Sequence, residues 1–363
     1  MPALRPAAAG LDGGWHPRRA RLARRGCVAL AAITAAAVVS ACGSHASPAA
    51  SSPPATSSRA STSPSAAQAA ATPPAMVAVT TGGALVTLNP ATGAVQQTLV
   101  PSGVLGDEVS VAASGLVYFA VQNGCTSKIE EIPVGGGAVA VITSGSLPAV
   151  SPDGTRLAYA SEPSLTAGCV PNVADLVPLF NLDIRTLSSG TTTSLPMVPA
   201  GQDSGLPSPI SHLSWSADSE HLAVSIASAE DNEGWALNLV DTATAQYYFS
   251  GAGVTTVPVT GQDTQQSYLR EGVYMPSGDL FVSRACCAGI PVQNTSRLMW
   301  EVATSGALVH QVAVGFANLD HTSLDVSQNG NWLLYLAGTT LYLSQGGATP
   351  KELTTGMIAA AWA

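Results

Sequence analysis

Positive charge is scarce in this chain and concentrated at one end. Of its 14 Lys and Arg, six (Arg5, Arg18, Arg19, Arg21, Arg24 and Arg25) stand within the first 41 positions, against one of the 23 Asp and Glu. From Cys42 onward that leaves 8 basic and 22 acidic residues, a formal net charge of −14. Such a surface has no electrostatic means of holding a phosphate backbone or an anionic lipid headgroup, which excludes nucleic acid as a partner. Other motifs are also missing. There is no Gly-x-Ser-x-Gly elbow, no His-Glu-x-x-His helix and no Cys-x-x-Cys pair, so serine-hydrolase, zincin and zinc-ribbon chemistries have no foothold. Gly135-Gly136-Gly137 falls in a hairpin between two strands, not before a helix where it would cradle phosphate. Nor is there an apolar run of the roughly 20 residues that a membrane-spanning helix needs.

After the arginines, Cys27 to Ala41 is a 15-residue segment with no charge. That is the pattern of an export signal, residues 1–41. It closes on Val39-Ser40-Ala41-Cys42-Gly43, which resembles the lipobox of bacterial lipoproteins. The resemblance implies that Cys42 becomes the acylated first residue of the mature chain, extracytoplasmic and lipid-anchored to the membrane. An ordinary secretory signal cut near Ala41 is the alternative. Residues 42–75 are almost wholly Ser, Ala, Pro and Thr, with Arg59 the only formal charge. Such a tract cannot bury enough apolar surface to offset its ordering entropy, and it reads as a flexible tether.

Residues 76–363 carry a recurring unit: an apolar strand, a polar hairpin, then a second and more hydrophobic strand. Its second turn residues, Gly115, Gly154, Ser219, Gly278 and Gly330, stand 39, 65, 59 and 52 residues apart. A unit of this kind with variable insertions is the blade of a β-propeller. Four-stranded blades are expected to begin at Val109, Leu147, Ile210, Tyr268 and Thr322. In the third, Gln246 to Ser250 is expected as the outer strand. Two fragments remain, Met76 to Val100 without an innermost strand and Met357 to Trp362 without a blade. Joined, they make a sixth blade and an all-β, six-bladed ring closed by the C-terminal strand. Rings of five or seven blades are the competing counts.

Ser151-Pro152-Asp153-Gly154-Thr155-Arg156-Leu157-Ala158-Tyr159, Ser216-Ala217-Asp218-Ser219-Glu220-His221-Leu222-Ala223-Val224 and Ser327-Gln328-Asn329-Gly330-Asn331-Trp332-Leu333-Leu334-Tyr335 resemble the WD-like repeat of TolB-type propellers. The resemblance implies a structural turn in which Asp153-Gly154 shapes a hairpin and supplies no catalytic acid. TolB has a further N-terminal domain, and this chain has only the Ser/Ala/Pro/Thr tract there, so a TolB role in an envelope complex does not transfer.

Alternation of strand direction puts the long insertions on one face of the ring. There Cys125 and Cys169 fall in corresponding loops of consecutive blades, and an exported protein could bridge them. Adjacent Cys286 and Cys287 would form a strained pair or stay reduced. On the same face Asp107, Glu108, His212, Arg270, Glu271, Asp320 and His321 enter the innermost strands. Convergent carboxylates and imidazoles there would suit a divalent cation or a polar ligand, the only cofactor this chain suggests; solvated loop caps are the plainer reading. Glu230-Asp231-Asn232-Glu233-Gly234 is likewise a solvated turn before it is a calcium loop. Two functions follow. One is a monomeric, non-catalytic scaffold that binds an envelope protein, peptide or glycan. The other is an axial-site enzyme such as a metal-dependent lactonase-like hydrolase or a quinoprotein dehydrogenase. The anchor is directly testable: Cys42→Ala should move the chain from the detergent phase to the aqueous phase on detergent partitioning, whereas unchanged partitioning would remove the lipid from Cys42.

Overall fold

The structure, a computed structural model, describes residues 73–123, 126–161, 181–195, 210–227, 235–245, 253–258, 267–286, 299–313, 321–346 and 348–363; the side chains of 107, 123, 227, 235, 267–268, 284–286, 310–313 and 321 fall outside the description. The chain divides into units Met1–Ala66 and Ala67–Ala363, and every described residue belongs to the second.

Twenty-four strands form six antiparallel sheets of four. The first sheet opens with β1 (Met76–Thr80), β2 (Leu85–Leu88) and β3 (Val95–Val100). Blade 2 is β4 (Val104–Val111), β5 (Leu116–Asn123), β6 (Thr126–Pro133) and β7 (Ala140–Ser144); blade 3 is β8 (Ser146–Val150), β9 (Arg156–Ser161), β10 (Asn181–Thr186) and β11 (Thr192–Leu195). Blade 4 is β12 (Ile210–Trp215), β13 (His221–Ala227), β14 (Trp235–Asp241) and β15 (Val254–Thr256); blade 5 is β16 (Ser267–Tyr274), β17 (Leu280–Cys286), β18 (Met299–Val302) and β19 (Leu308–Ala313). Blade 6 is β20 (His321–Val326), β21 (Trp332–Ala337), β22 (Thr340–Gln345) and β23 (Lys351–Thr355). The last strand, β24 (Met357–Trp362), returns to pair antiparallel with β1, setting Met76 against Trp362, Ala78 against Ala360 and Val79 against Ala359. The ring is therefore six-bladed, and its last open edge is removed by the closing strand.

The apolar cores explain why second strands such as Trp332-Leu333-Leu334-Tyr335-Leu336 are hydrophobic on both faces. Among the described residues there are six buried clusters, and each lies between two neighbouring sheets. Alternate residues of one strand serve opposite neighbours: Leu334 and Leu336 pack toward blade 1 with Met76 and Trp362, while Leu333 and Tyr335 pack toward blade 5 with Phe281 and Met299. A strand sandwiched in this way has no solvent side and loses its period-2 polarity.

The three WD-like turns are built alike. The backbone N–H of Arg156, His221 and Trp332 donates to Ser151, Ser216 and Ser327 Oγ at 2.9, 2.9 and 3.0 Å. Each serine hydroxyl in turn donates to Asp153, Asp218 or Asn329. The residue at the turn's third step is left-handed: Gly154 has φ 69° and Gly330 φ 70°, and Ser219 adopts φ 62° at the equivalent place. Hydrogen bonds from Ser216 and the Glu220 N–H hold the Asp218 carboxyl below the usual range. These carboxylates shape turns, as the repeat resemblance implies.

Two expectations shift. The outer strand of blade 4 is Val254–Thr256, not 246–250, which lie outside the described residues. Val254 sits opposite Val240 and Thr256 opposite Asn238, and Thr256 Oγ1 donates to Asn238 Oδ1 at 2.7 Å. Gly253, at φ 83°, delivers the chain to that edge. Strand β4 also begins at Val104, five residues before the expected Val109, because a register shift between Val104 and Val109 keeps Asp107 and Glu108 inside the strand. Elsewhere ends move by a few residues.

Trp362 is 8% exposed in the cluster between blades 6 and 1. Its replacement by alanine is expected to cost about 3–5 kcal/mol in urea unfolding, and deletion of 357–363 should abolish a single cooperative transition. A loss below about 1 kcal/mol for Trp362→Ala would contradict closure by this strand.

Candidate functional site

The six innermost strands, β24, β4, β8, β12, β16 and β20, surround the axis. Near the start of each of the last five the pairing register shifts: between Val104 and Val109, Ser146 and Ala149, Ile210 and His212, Leu269 and Glu271, and Thr322 and Asp325. A bulge re-aims side chains out of the pleat, and two of these carry left-handed residues, Leu147 at φ 54° and Ser323 at φ 52°.

Two cavities result. The smaller, 210 Å³, lies at the end where these strands begin, among Gly106, Ser211, Arg270, Glu271, Ser323 and Ile358. The larger, 780 Å³, opens at the other end, where the inner strands run into their hairpins, and is lined by Glu108, His212, Ser214, Asp325 and apolar neighbours. Among the described residues, the larger cavity is thus on the face of short turns.

Polar groups around the axis tie blades together at five of the six junctions. The Val150 N–H donates to Ser110 Oγ (3.0 Å), the Tyr274 N–H to Ser214 Oγ (3.1 Å) and the Trp362 N–H to Asp325 Oδ2 (2.8 Å). Counted back from the turn residues, Ser110, Ser214 and Asp325 occupy one repeat position, so a single bond recurs at three blade junctions. Other junctions use different atoms: Trp215 Nε1 donates to the Ala149 carbonyl at 2.8 Å, and the Leu324 N–H donates to Glu271 Oε2 at 3.3 Å. Ser323 adds a double bond to the closing strand, accepting from Ala360 N–H at 2.8 Å and donating to its carbonyl at 3.0 Å.

The expected axial residues are dispersed among these roles. His212 is 5% exposed and its Nε2 lies 3.7 Å from Glu108 Oε1. Burial depresses the imidazole to about 4, outweighing a backbone hydrogen bond at Leu324 that acts the other way. The ring is therefore neutral at pH 7, and its contact with Glu108 is not an ion pair. Glu271 is engaged by Leu324, and Arg270 lines the smaller cavity. Asp107 and His321 are placed in β4 and β20 without described side chains; Cys42, Cys125, Cys169, Cys287, Asp320 and 230–234 lie outside the described residues, and Cys286 is placed only by its backbone. Among the described residues, no three His, Cys, Asp or Glu side chains are grouped as metal ligands.

Sequence reasoning passed over Asp325, whose carboxyl burial raises to about 6 against the pull of the Trp362 and Val326 N–H groups. The signal was present, since aligning the turns sets Asp325 in register with Ser110 and Ser214.

No protein-family model matches the chain, and no curated protein does. Solved structures do. TolB from Acinetobacter baumannii aligns over 80% of this chain and 66% of its own, at 14% identity and a TM-score of 0.53. A chain of a nidogen/laminin complex aligns over 79% and 97%, at 10% identity and 0.53. A protein of unknown function from Bacteroides caccae aligns over 80% and 98%, at 12% identity and 0.50. The likeness is one of fold: this is a TolB-like β-propeller, and it spans about two thirds of that TolB chain.

The two shifted groups make opposite demands on stability. Unfolded, His212 takes up a proton near its ordinary 6.5, but folded only near 4, so acidification between those values favours unfolding. Asp325 does the reverse: folded it takes up its proton near 6 and unfolded near 3.8, so the same acidification favours the fold. Each effect is on the order of 3 kcal/mol, and they oppose one another. Urea unfolding should show His212→Gln gaining on the parent as pH falls from about 6.5 to 4, and Asp325→Asn gaining on it as pH rises over the same span. Parallel slopes would contradict these assignments.

Proposed function

We propose that this chain is a lipid-anchored, extracytoplasmic binding scaffold: Cys42 carries the anchor, residues 43–75 form the tether, and the propeller engages a protein on its loop-bearing face. The supporting observation is where the chain enters the ring. Ala75 accepts a hydrogen bond from the Ala363 N–H at 2.7 Å, and Pro74 and Ala363 both line the cavity on the turn face. Connections between second and third strands, and from one blade to the next, leave at the opposite end. Those include 162–180, 196–209, 228–234, 259–266 and 287–298. A Ser/Ala/Pro/Thr tract of this length has a reach of about 30 Å. Binding by elaborated loops on a rigid scaffold is the general division of labour in such folds. Axial side chains engaged in joining blades favour this reading over catalysis at the loop-side mouth. One similar propeller belongs to a nidogen/laminin complex, which favours a protein over a glycan as the first partner class to test.

Photo-cross-linking residues placed at Asp203 and Asp231, in the long segments between strands, should capture an envelope protein in intact cells, while the same residue at Ser277 or Asn329 on the turn face should not. Capture from the turn-face positions alone would overturn the assignment.

A further inference from the structure

Asp325 is the anomaly of the inner ring. The bond it makes to the next blade is made at the equivalent position of two other blades by Ser110 and Ser214, so joining blades needs only a hydroxyl. A carboxylate in that place brings a charge into a partly buried setting, a costly choice without a counter-ion. Among the described residues no Lys or Arg lines the 780 Å³ cavity to serve as one. The volume lies within the range of small-molecule sites, and Val109, Leu213, Val273 and Ala360 supply apolar wall. His212 lines the same cavity and is 5% exposed.

We propose that the turn-face axial cavity binds a small organic amine, its ammonium against Asp325, its apolar body along the inner-strand walls, and the His212 imidazole available to a polar group of the ligand. The charge inventory decides the class. An anion would meet the Asp325 carboxylate with no Lys or Arg among the described lining residues, whereas an ammonium supplies a counter-charge to Asp325 and donates to carboxylate lone pairs that the Trp362 and Val326 N–H groups leave open. The site lies on the face opposite the loops and stands independently of the protein-binding reading.

Benzylamine, benzyl alcohol and benzoate share a body and differ in the head group. Calorimetric titration of the full-length chain should give saturable binding for benzylamine, weaker binding for the alcohol and none for benzoate. Asp325→Ser copies the residue used at the two equivalent positions and so keeps the inter-blade bond; it should weaken benzylamine by about tenfold or more while the chain still unfolds cooperatively, at a urea midpoint no lower than that of the parent. Benzoate or the alcohol binding as tightly as benzylamine, unchanged affinity in Asp325→Ser, or no saturable benzylamine binding would each overturn the proposal.

Discussion

The structure depends on how each innermost strand is joined to the next. A blade is a small sheet that cannot bury both faces alone, and neighbouring blades share no backbone ladder. Face-to-face apolar packing holds them at the level of the second and third strands, where Leu, Val, Tyr and Phe meet between sheets. At the axis, where the strands crowd, a short side chain from one blade takes the backbone N–H of the next. Each such bond contributes about 1 kcal/mol net, yet leaving the buried N–H unpaired would cost more, so the bonds act as conditions on assembly more than as sources of stability.

That constraint shapes what the axis can do. Ser110, Ser214, Ser323 and Glu271 are committed to neighbouring backbone, and the smaller cavity lies at the start of the inner strands. The larger cavity lies beyond the bonded ring, on the side where the chain enters and closes. Loop-bearing face and axial cavity are therefore separate surfaces of one rigid ring, and either can be altered without touching the other.

Much of this was legible in the chain. Ser151-Pro152-Asp153-Gly154 and its counterparts announce their hairpins because the conformation is settled locally, by a left-handed residue and a serine that bonds five residues onward. The closing strand was legible because Met76 to Val100 lacked an inner strand and Met357 to Trp362 lacked a blade. The candidate site was less so. Asp107, Glu108, His212 and Glu271 were grouped by their order in the repeat, which says which strand a residue begins but not how a bulge turns it. Glu108 and His212 face one cavity while Glu271 faces the other. The outer strand of blade 4 is a related case: an outer strand is defined by its partner, and β14 is met by Val254–Thr256.

Sequence alone determined the repeat, the turns, the acidic balance and the export-like leader, since each is written in a few consecutive residues or in a sum over them. Tertiary structure alone decided which mouth of the ring holds the cavity, which polar side chains join blades, and that Asp325 carries a charge where its repeat-mates carry a hydroxyl into the same bond. Those outcomes arise from contacts between blades tens of residues apart, where register shifts of one or two residues determine the direction a side chain takes.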